Sequence, residues 1–341
     1  MATTFQVGGA RALRKVADLR LPRMKEGRLG LKLMPIVNVN ETHLEYERNQ
    51  VTRGIQFARG MGGTAGTVNK PGFESRIVSP GYYGDAYRIN EKELTDKRET
   101  GSWTEFDSEG KQTGRASEFL TQRYLDRIEY NTFTFLFTGG FEAKNIQGVP
   151  YYQPVYDVNA LTPGTLFSDL ANSTPRRYLQ DQIATLHQRG YSVRFDKGWM
   201  IMSSKTMITM LNNTNANDIG GRRFDMGQTA NSFKELNQLF VANGIPEATI
   251  YDEGYFPESG NFSLFVPEGK ILLIGVRQDG EPIGEYRQTR NAYNPNSAPG
   301  EYYRVIDNRD REGPPEVVCE AGHNGGPVPH YPEAVAVINA Y

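Results

Sequence analysis

"PGYYGDAYRINEKEL", Pro80 to Leu94, alternates like a strand through "DAYRI" yet carries few apolar residues, and the glycine-rich "RGMGGTAGTVNKPG", Arg59 to Gly72, lies just upstream. Glycine adds to the entropy lost on ordering, and proline excludes helix. Tyr82, Tyr83, Tyr87 and Ile89 bring too little apolar surface to offset that loss. The stretch therefore predicts an extended hairpin held by something outside itself. The pieces "GIQFA", "ESRIV" and "DAYRI", separated by Gly, Pro and Asn between Val51 and Thr100, fit one long excursion with no core of its own.

Downstream, "RASEFLTQRYLDRIEYNTFTFLFTGGFE" places Leu120, Tyr124, Ile128 and Phe135 near one helical face. Ser117 is a candidate N-cap, Gly139-Gly140 a terminator, and Arg123, Asp126 and Arg127 sit away from the stripe. "GVPYYQPVYDV" then reads as a strand, after which helices and strands alternate. "TPRRYLQDQIATLHQRG" has Thr174 as N-cap, Pro175 at the first helical position, Leu179, Ile183 and Leu186 facing inward and Gly190 as stop. The strand "WMIMS", a short helix around Met207 and Leu211, and "NSFKELNQLFVANG" follow, the last with a capping box from Ser232 to Glu235 and a stop at Gly244. "ATIYD", "FSLFV" and "KILLIG" complete an α/β unit. From Glu285 to Tyr331 the chain is rich in Pro, Gly, Arg and Tyr and reads as an interface loop interrupted by a strand at "EVVCE"; it closes in "AVAVINAY".

Ahead of the hairpin, Arg11, Arg14, Lys15, Arg20, Arg23, Lys25, Arg28 and Lys32 face only Asp18 and Glu26. Leu13, Val16 and Ala17 form a short apolar face before Pro22, which is expected to stop any helix, so the stretch reads as a basic arm rather than a domain. Scaffold, nucleic-acid or partner binding and a solvated terminus are all consistent with its composition. Pro22 and Pro35 interrupt it and no heptad pattern is sustained. That predicts a separate scaffold protein, or none, and an arm retained in the mature protein.

The 341 residues suffice for one large domain or two, and a net charge of −2 leaves any attraction to nucleic acid or anionic membrane to local patches. Cys319 is the only cysteine, which excludes an internal disulfide framework and points to a reducing compartment. With no signal-peptide pattern and no long apolar run, a soluble protein made in cytoplasm is expected. Walker, Gly-x-Ser-x-Gly, His-Glu-x-x-His and paired Cys-x-x-Cys patterns are absent. "GMGGTA", Gly60 to Ala65, lacks a strand leading in and a helix leading out. Cys319, His323 and His330 fit no common zinc spacing, and His43 and His187 are isolated, His187 on a helix surface. The sequence thus predicts no catalytic, cofactor-binding or metal residues and no enzyme activity.

The order of parts, together with "PGY" at Pro80 to Tyr82, "GVPYYQPVYDV" after a long helix, "FVPEGKILLIG" from Phe265 to Gly275 and the closing "PEAVAVINAY", resembles the tailed-phage major capsid proteins of the lambda-type capsid protein E family. The resemblance covers most of the chain from about Thr52 onward. It implies an α+β chain of the Hong Kong 97-type fold, with an N-terminal arm at 1–50 and an extended E-loop at 51–100. The peripheral domain would comprise 101–160 and 285–330 around a spine helix at about 116–138, and the axial domain 161–284 and 331–341. It further implies a structural role in the virion. Hexamers and pentamers would form an icosahedral shell around non-specifically held double-stranded DNA, assembled in host cytoplasm, with scaffold, portal and decoration proteins as further partners and no membrane. Candidate assembly-interface residues are Arg11, Arg14, Lys15, Arg20, Arg23, Tyr82, Tyr83, Tyr87 and Arg88. Competing readings are a soluble glycan-binding module or hydrolase of β-rich type, and a nucleic-acid binder acting through its basic arm with salt-sensitive affinity.

Overall fold

The computed structural model describes residues 10–49, 73–90, 109–144, 149–193, 198–215, 218, 232–257, 260–277, 282–308 and 315–341. "GIQFA", the glycine-rich Arg59 to Gly72 and the end of the excursion beyond Asn90 lie outside the described residues. Two sheets are organised by one long helix. Helices α1 (Ala10–Glu26) and α2 (Leu29–Leu33) precede β1 (Ile36–Asn38), β2 (Leu44–Asn49), β3 (Phe73–Val78) and β4 (Gly81–Asn90). Helix α3 (Glu109–Thr138) spans 30 residues, about 45 Å at 1.5 Å per residue. It starts earlier than its sequence signals suggest. Ser117 does not cap it but lies buried inside it, donating from Oγ to the Leu13 carbonyl at 3.0 Å. At the other end Gly139 takes a left-handed φ of 79° and donates its N–H to the Phe135 carbonyl, closing the helix.

The first sheet is built on β15 (Glu316–Pro329). One edge of β15 pairs antiparallel with β4 from Glu316 to Gly325, the other with β14 (Tyr302–Asp307) and then β13 (Gly284–Gln288), and β1 adds in parallel to β13. The expected loop from Glu285 to Tyr331 is therefore mostly sheet. Its prolines are compatible because Tyr286, opposite Pro327, donates its N–H to the Pro35 carbonyl instead of to β15. The donor that Pro327 lacks faces the edge beyond the last β4 pair, Gly81 with Gly325. The same pairing answers what holds "GYYGDAYRIN": all ten residues are registered against β15 of their own chain.

The second sheet has the order β7-β16-β12-β8-β9, from β7 (Asn159–Leu161), β16 (Val335–Asn339), β12 (Lys270–Ile274), β8 (Trp199–Met202) and β9 (Ala248–Ile250). Alternation by two explains its near-continuous apolar strands. Met200, Met202, Ile271, Leu273, Ala336 and Ile338 pack with Leu179, Ile183, Met207, Leu236 and Phe240. Ile201, Leu272, Ile274, Val335 and Val337 face the phenylalanine-rich end of α3.

The helices on this sheet are α4 (Pro175–Gln188), α5 (Ser204–Leu211) and α6 (Phe233–Ala242). The expected inward face of α4 is observed, with Leu179, Ile183 and Leu186 buried and Gly190 at a φ of 94°. Its cap differs: Thr174 makes no side-chain capping bond, and the buried Asp218 carboxylate accepts from the N–H groups of Arg176 (2.8 Å) and Arg177 (3.1 Å). On α6 the Ser232 hydroxyl accepts from Glu235 N–H at 3.3 Å, as the capping box requires. The "FSLFV" strand contracts to β11 (Ser263–Leu264), which forms a hairpin with β10 (Gly254–Tyr255). The antiparallel pair β5 (Gly140–Lys144) and β6 (Pro150–Pro154) follows α3.

Candidate assembly interface

The basic arm is a helix docked on the spine. Pro22 sits within α1 instead of ending it, because the proline is on the exposed side, where the Asp18 carbonyl that loses its helical donor can meet water. Leu13 and Ala17 are buried, and Leu13 packs with Ala116 and Leu120 of α3. Of the arm's candidate residues, Arg20 pairs with Glu118 of the same chain. Arg14, Lys15 and Arg23 are exposed, and Arg11 lies on the first turn of α1. Further along, Arg28 pairs with Asp126 on α3.

Strand alternation divides the β4 candidates. Tyr83, Asp85, Tyr87 and Ile89 face α3. Tyr83 donates to the Glu142 carbonyl at 2.5 Å and lies under the Arg127 guanidinium, 5.0 Å from its ring centre. Asp85 holds Arg123 by two hydrogen bonds of 2.7 and 3.3 Å, Tyr87 meets the edge of Phe119, and Ile89 is buried. Tyr83 and Tyr87 thus serve their own subunit, which corrects the expectation that this stretch lacks internal burial. Tyr82 (59% exposed) and Arg88 project from the opposite face, where Arg88 approaches Glu316 at 3.9 Å. That open face also carries Tyr302 and the 3.8 Å pair Arg304–Glu320, with Tyr293 beside them.

Sequence reasoning missed two further features. The first is Glu129, fully buried on α3, whose Oε1 accepts from Gly30 N–H at 2.8 Å and from the Tyr251 hydroxyl at 2.5 Å. One carboxylate therefore ties the arm and the strand-β9 side of the second sheet to the spine. Burial holds its carboxyl above the usual range, opposed by those two donors and by Arg28. The second is the pair of exposed rings Phe256 and Phe262 on the β10–β11 hairpin, 5.3 Å apart.

His323 is buried among Tyr83, Tyr124 and Tyr286, with Nε2 2.9 Å from the Tyr286 hydroxyl. Burial, assisted by Arg127, pushes its pKa down to about 3, so the ring is neutral at pH 7. Cys319 is buried and its thiol is pushed up to about 11. Among the described residues no group of three His, Cys, Asp or Glu is placed to hold a metal, and no helix is long and apolar enough to cross a membrane. His187 is on the surface, its Nε2 accepting from Val193 N–H at 3.0 Å.

These two sheets, the long spine between them and the docked arm are the Hong Kong 97-type capsid fold. The chain is similar over nearly its whole length to a protein provisionally assigned as the capsid protein of a prophage (E. coli CFT073): TM-score 0.62, 12% identity, 98% of this chain and 99% of the other covered. It is also similar to a phage-related protein of Bordetella bronchiseptica RB50, with TM-score 0.55, 11% identity and 97% of each chain covered. No family profile matches the sequence, and no curated protein matches it.

Proposed function

We propose that this chain is the major capsid protein of a tailed phage, a structural rather than catalytic protein whose copies form hexamers and pentamers of an icosahedral shell around double-stranded DNA. The observation that carries the reading is the match in fold, covering 98% of this chain and 99% of the other, to the protein provisionally assigned as a prophage capsid protein. Within it, 101–160 and 285–330 act as the peripheral domain and 161–284 with 331–341 as the axial domain. Tyr82 and Arg88, with Arg11, Arg14, Lys15 and Arg23 on the arm, serve neighbour contacts. The excursion between 51 and 100 crosses to an adjacent subunit, rooted by β4 in its own. Scaffold, portal and decoration proteins are the other partners of such a shell in the virion.

Electron microscopy and light scattering of the expressed protein test this. Closed shells are expected, and a discrete particle of one or a few subunits overturns it. A deletion joining Gly54 to Gly72 shortens the excursion while leaving β3 and β4 whole. That variant is expected to keep its circular dichroism spectrum and lose shells; normal shells would show that the excursion is not an assembly element.

A further inference from the structure

We infer that the outer face of α1 in one subunit docks onto the β10–β11 hairpin of the next, through Leu19 against Phe256 and Phe262 and through basic arm residues against Glu253. The inference rests on the capsid reading and specifies one of its contacts. Lys15, Leu19 and Arg23 are four residues apart and so line one side of α1, opposite the side that buries Leu13 and Ala17. Leu19 is 73% exposed, an apolar residue standing between two cations. Arg14, Lys15, Arg23 and Lys25 outnumber Asp18 and Glu26 on α1, while Arg20 is taken up by Glu118. No ion pair is formed by Lys15 or Arg23 among the described residues.

The hairpin is complementary in both respects. Phe256 (70% exposed) and Phe262 (52%) touch each other, edge to face, and leave most of their surface uncovered by their own subunit. From Tyr251 to Leu264 the sequence has Asp252, Glu253 and Glu258 and no Lys or Arg. Asp252 is engaged by Ser204 N–H at 2.8 Å, whereas Glu253 is exposed. Tyr255 and Phe265 anchor the hairpin rigidly against Tyr130 and Phe133 of α3.

Within one subunit the two patches leave each other uncovered: α1 packs on α3 through Leu13, Leu21 and Met24, and Leu19, Phe256 and Phe262 all stay exposed. Two different, complementary patches on one subunit make a head-to-tail contact between subunits, the kind that closes rings when the rotation allows. Opposite charges around an apolar centre would set its register.

Two measurements on assembled particles test the contact. In the Leu19→Cys/Phe256→Cys double variant, oxidation is expected to give a reducible ladder of covalent multimers that neither single variant gives. The native Cys319 is buried and does not compete. In the second, Lys15→Glu/Arg23→Glu and Glu253→Lys are each expected to lower particle yield by at least about tenfold, and combining them to restore it to within about threefold of the unaltered chain. Intact particles that give only monomer bands, unimpaired charge reversals, or failure of the combination to rescue would each overturn the contact while leaving the capsid reading in place. An unaltered chain that forms no particles would overturn both.

Discussion

Replacing Glu129 separates the two things its carboxylate does. Glu129→Ala removes the acceptor of two buried donors, Gly30 N–H and the Tyr251 hydroxyl. At about 1–3 kcal/mol for each orphaned donor, the variant should lose about 2–6 kcal/mol. Glu129→Gln keeps an oxygen in the same place and sheds a desolvated charge, so it should stay within about 1 kcal/mol of the unaltered chain at neutral pH. Glu129 Oε2 accepts no hydrogen bond, consistent with a carboxyl held above its ordinary 4.5 chiefly by burial, with Asp126 adding to the rise and Arg28 opposing it. The folded state then keeps a proton that the unfolded chain has released. The corresponding stability is fully present below 4.5 and is lost as pH rises through the folded value. Urea denaturation of unassembled subunits between about pH 4 and about pH 8 reads both effects. The stability of the unaltered chain relative to Glu129→Gln should fall with rising pH in that window, Asp126 being common to both. A Gln variant as unstable as the Ala variant, or a difference that grows with pH, would refute the reasoning.

Leu179→Ala and Ile183→Ala should each cost about 2–5 kcal/mol in chemical denaturation. The Arg176 side chain is largely buried with its Nε 3.5 Å from the buried Asp218 carboxylate, so Arg176→Ala should lose about 3 kcal/mol; a neutral result would show that the guanidinium does not stabilise that carboxylate. Gly139→Ala should lower the melting temperature, since a Cβ there would lie 2.0 Å from the Tyr156 carbonyl oxygen at a φ of 79°; an unchanged melting temperature would contradict that closure. His323, with its pKa depressed from 6.5 to about 3 by burial and Arg127, contributes stability that is present above 6.5 and lost as pH falls, at about 1.4 kcal/mol per pH unit. Its other neighbours, Tyr83, Tyr124 and Tyr286, stay uncharged there, so His323→Gln should flatten the acid limb measured by the same denaturation series, and an unflattened limb would assign that loss elsewhere.

Legibility followed the range of the interactions. Helix α4 could be read because its period, its proline start and its glycine stop all lie within seventeen residues, and "KILLIG" because a strand buried on both faces is apolar throughout. What could not be read depends on distant partners. Asp218 caps α4 from 42 residues away. Ser117 looks like a cap by type, yet its hydroxyl answers a carbonyl on α1. The glycines and prolines of β15 suggest a loop until its neighbours are known: a Cβ at Gly322 would lie 2.2 Å from the Tyr83 carbonyl oxygen, so close strand approach, not flexibility, accounts for the residue. On β4, alternation turns Tyr83 and Tyr87 inward and Tyr82 and Arg88 outward, a division set by the pairing with β15 that residue type alone does not show.

The spine itself shows why polar residues are buried where an apolar stripe would have sufficed for stability. Ser117, Thr121, Glu129, Asn131 and Thr132 are all fully buried on α3, because arm, first sheet and second sheet surround the helix on most of its circumference. Apolar contacts alone tolerate sliding, since one Leu or Phe packs much like another a turn away. Ser117 needs the Leu13 carbonyl, Glu129 needs Gly30 and Tyr251, and the Asn131 amide needs the Tyr286 hydroxyl at 3.2 Å. A shift of one helical turn, about 5.4 Å, would orphan all of them at once, at about 1–3 kcal/mol each. The polar set therefore fixes where arm and both sheets sit along the rod, and with them the spacing between α1 and the β10–β11 hairpin.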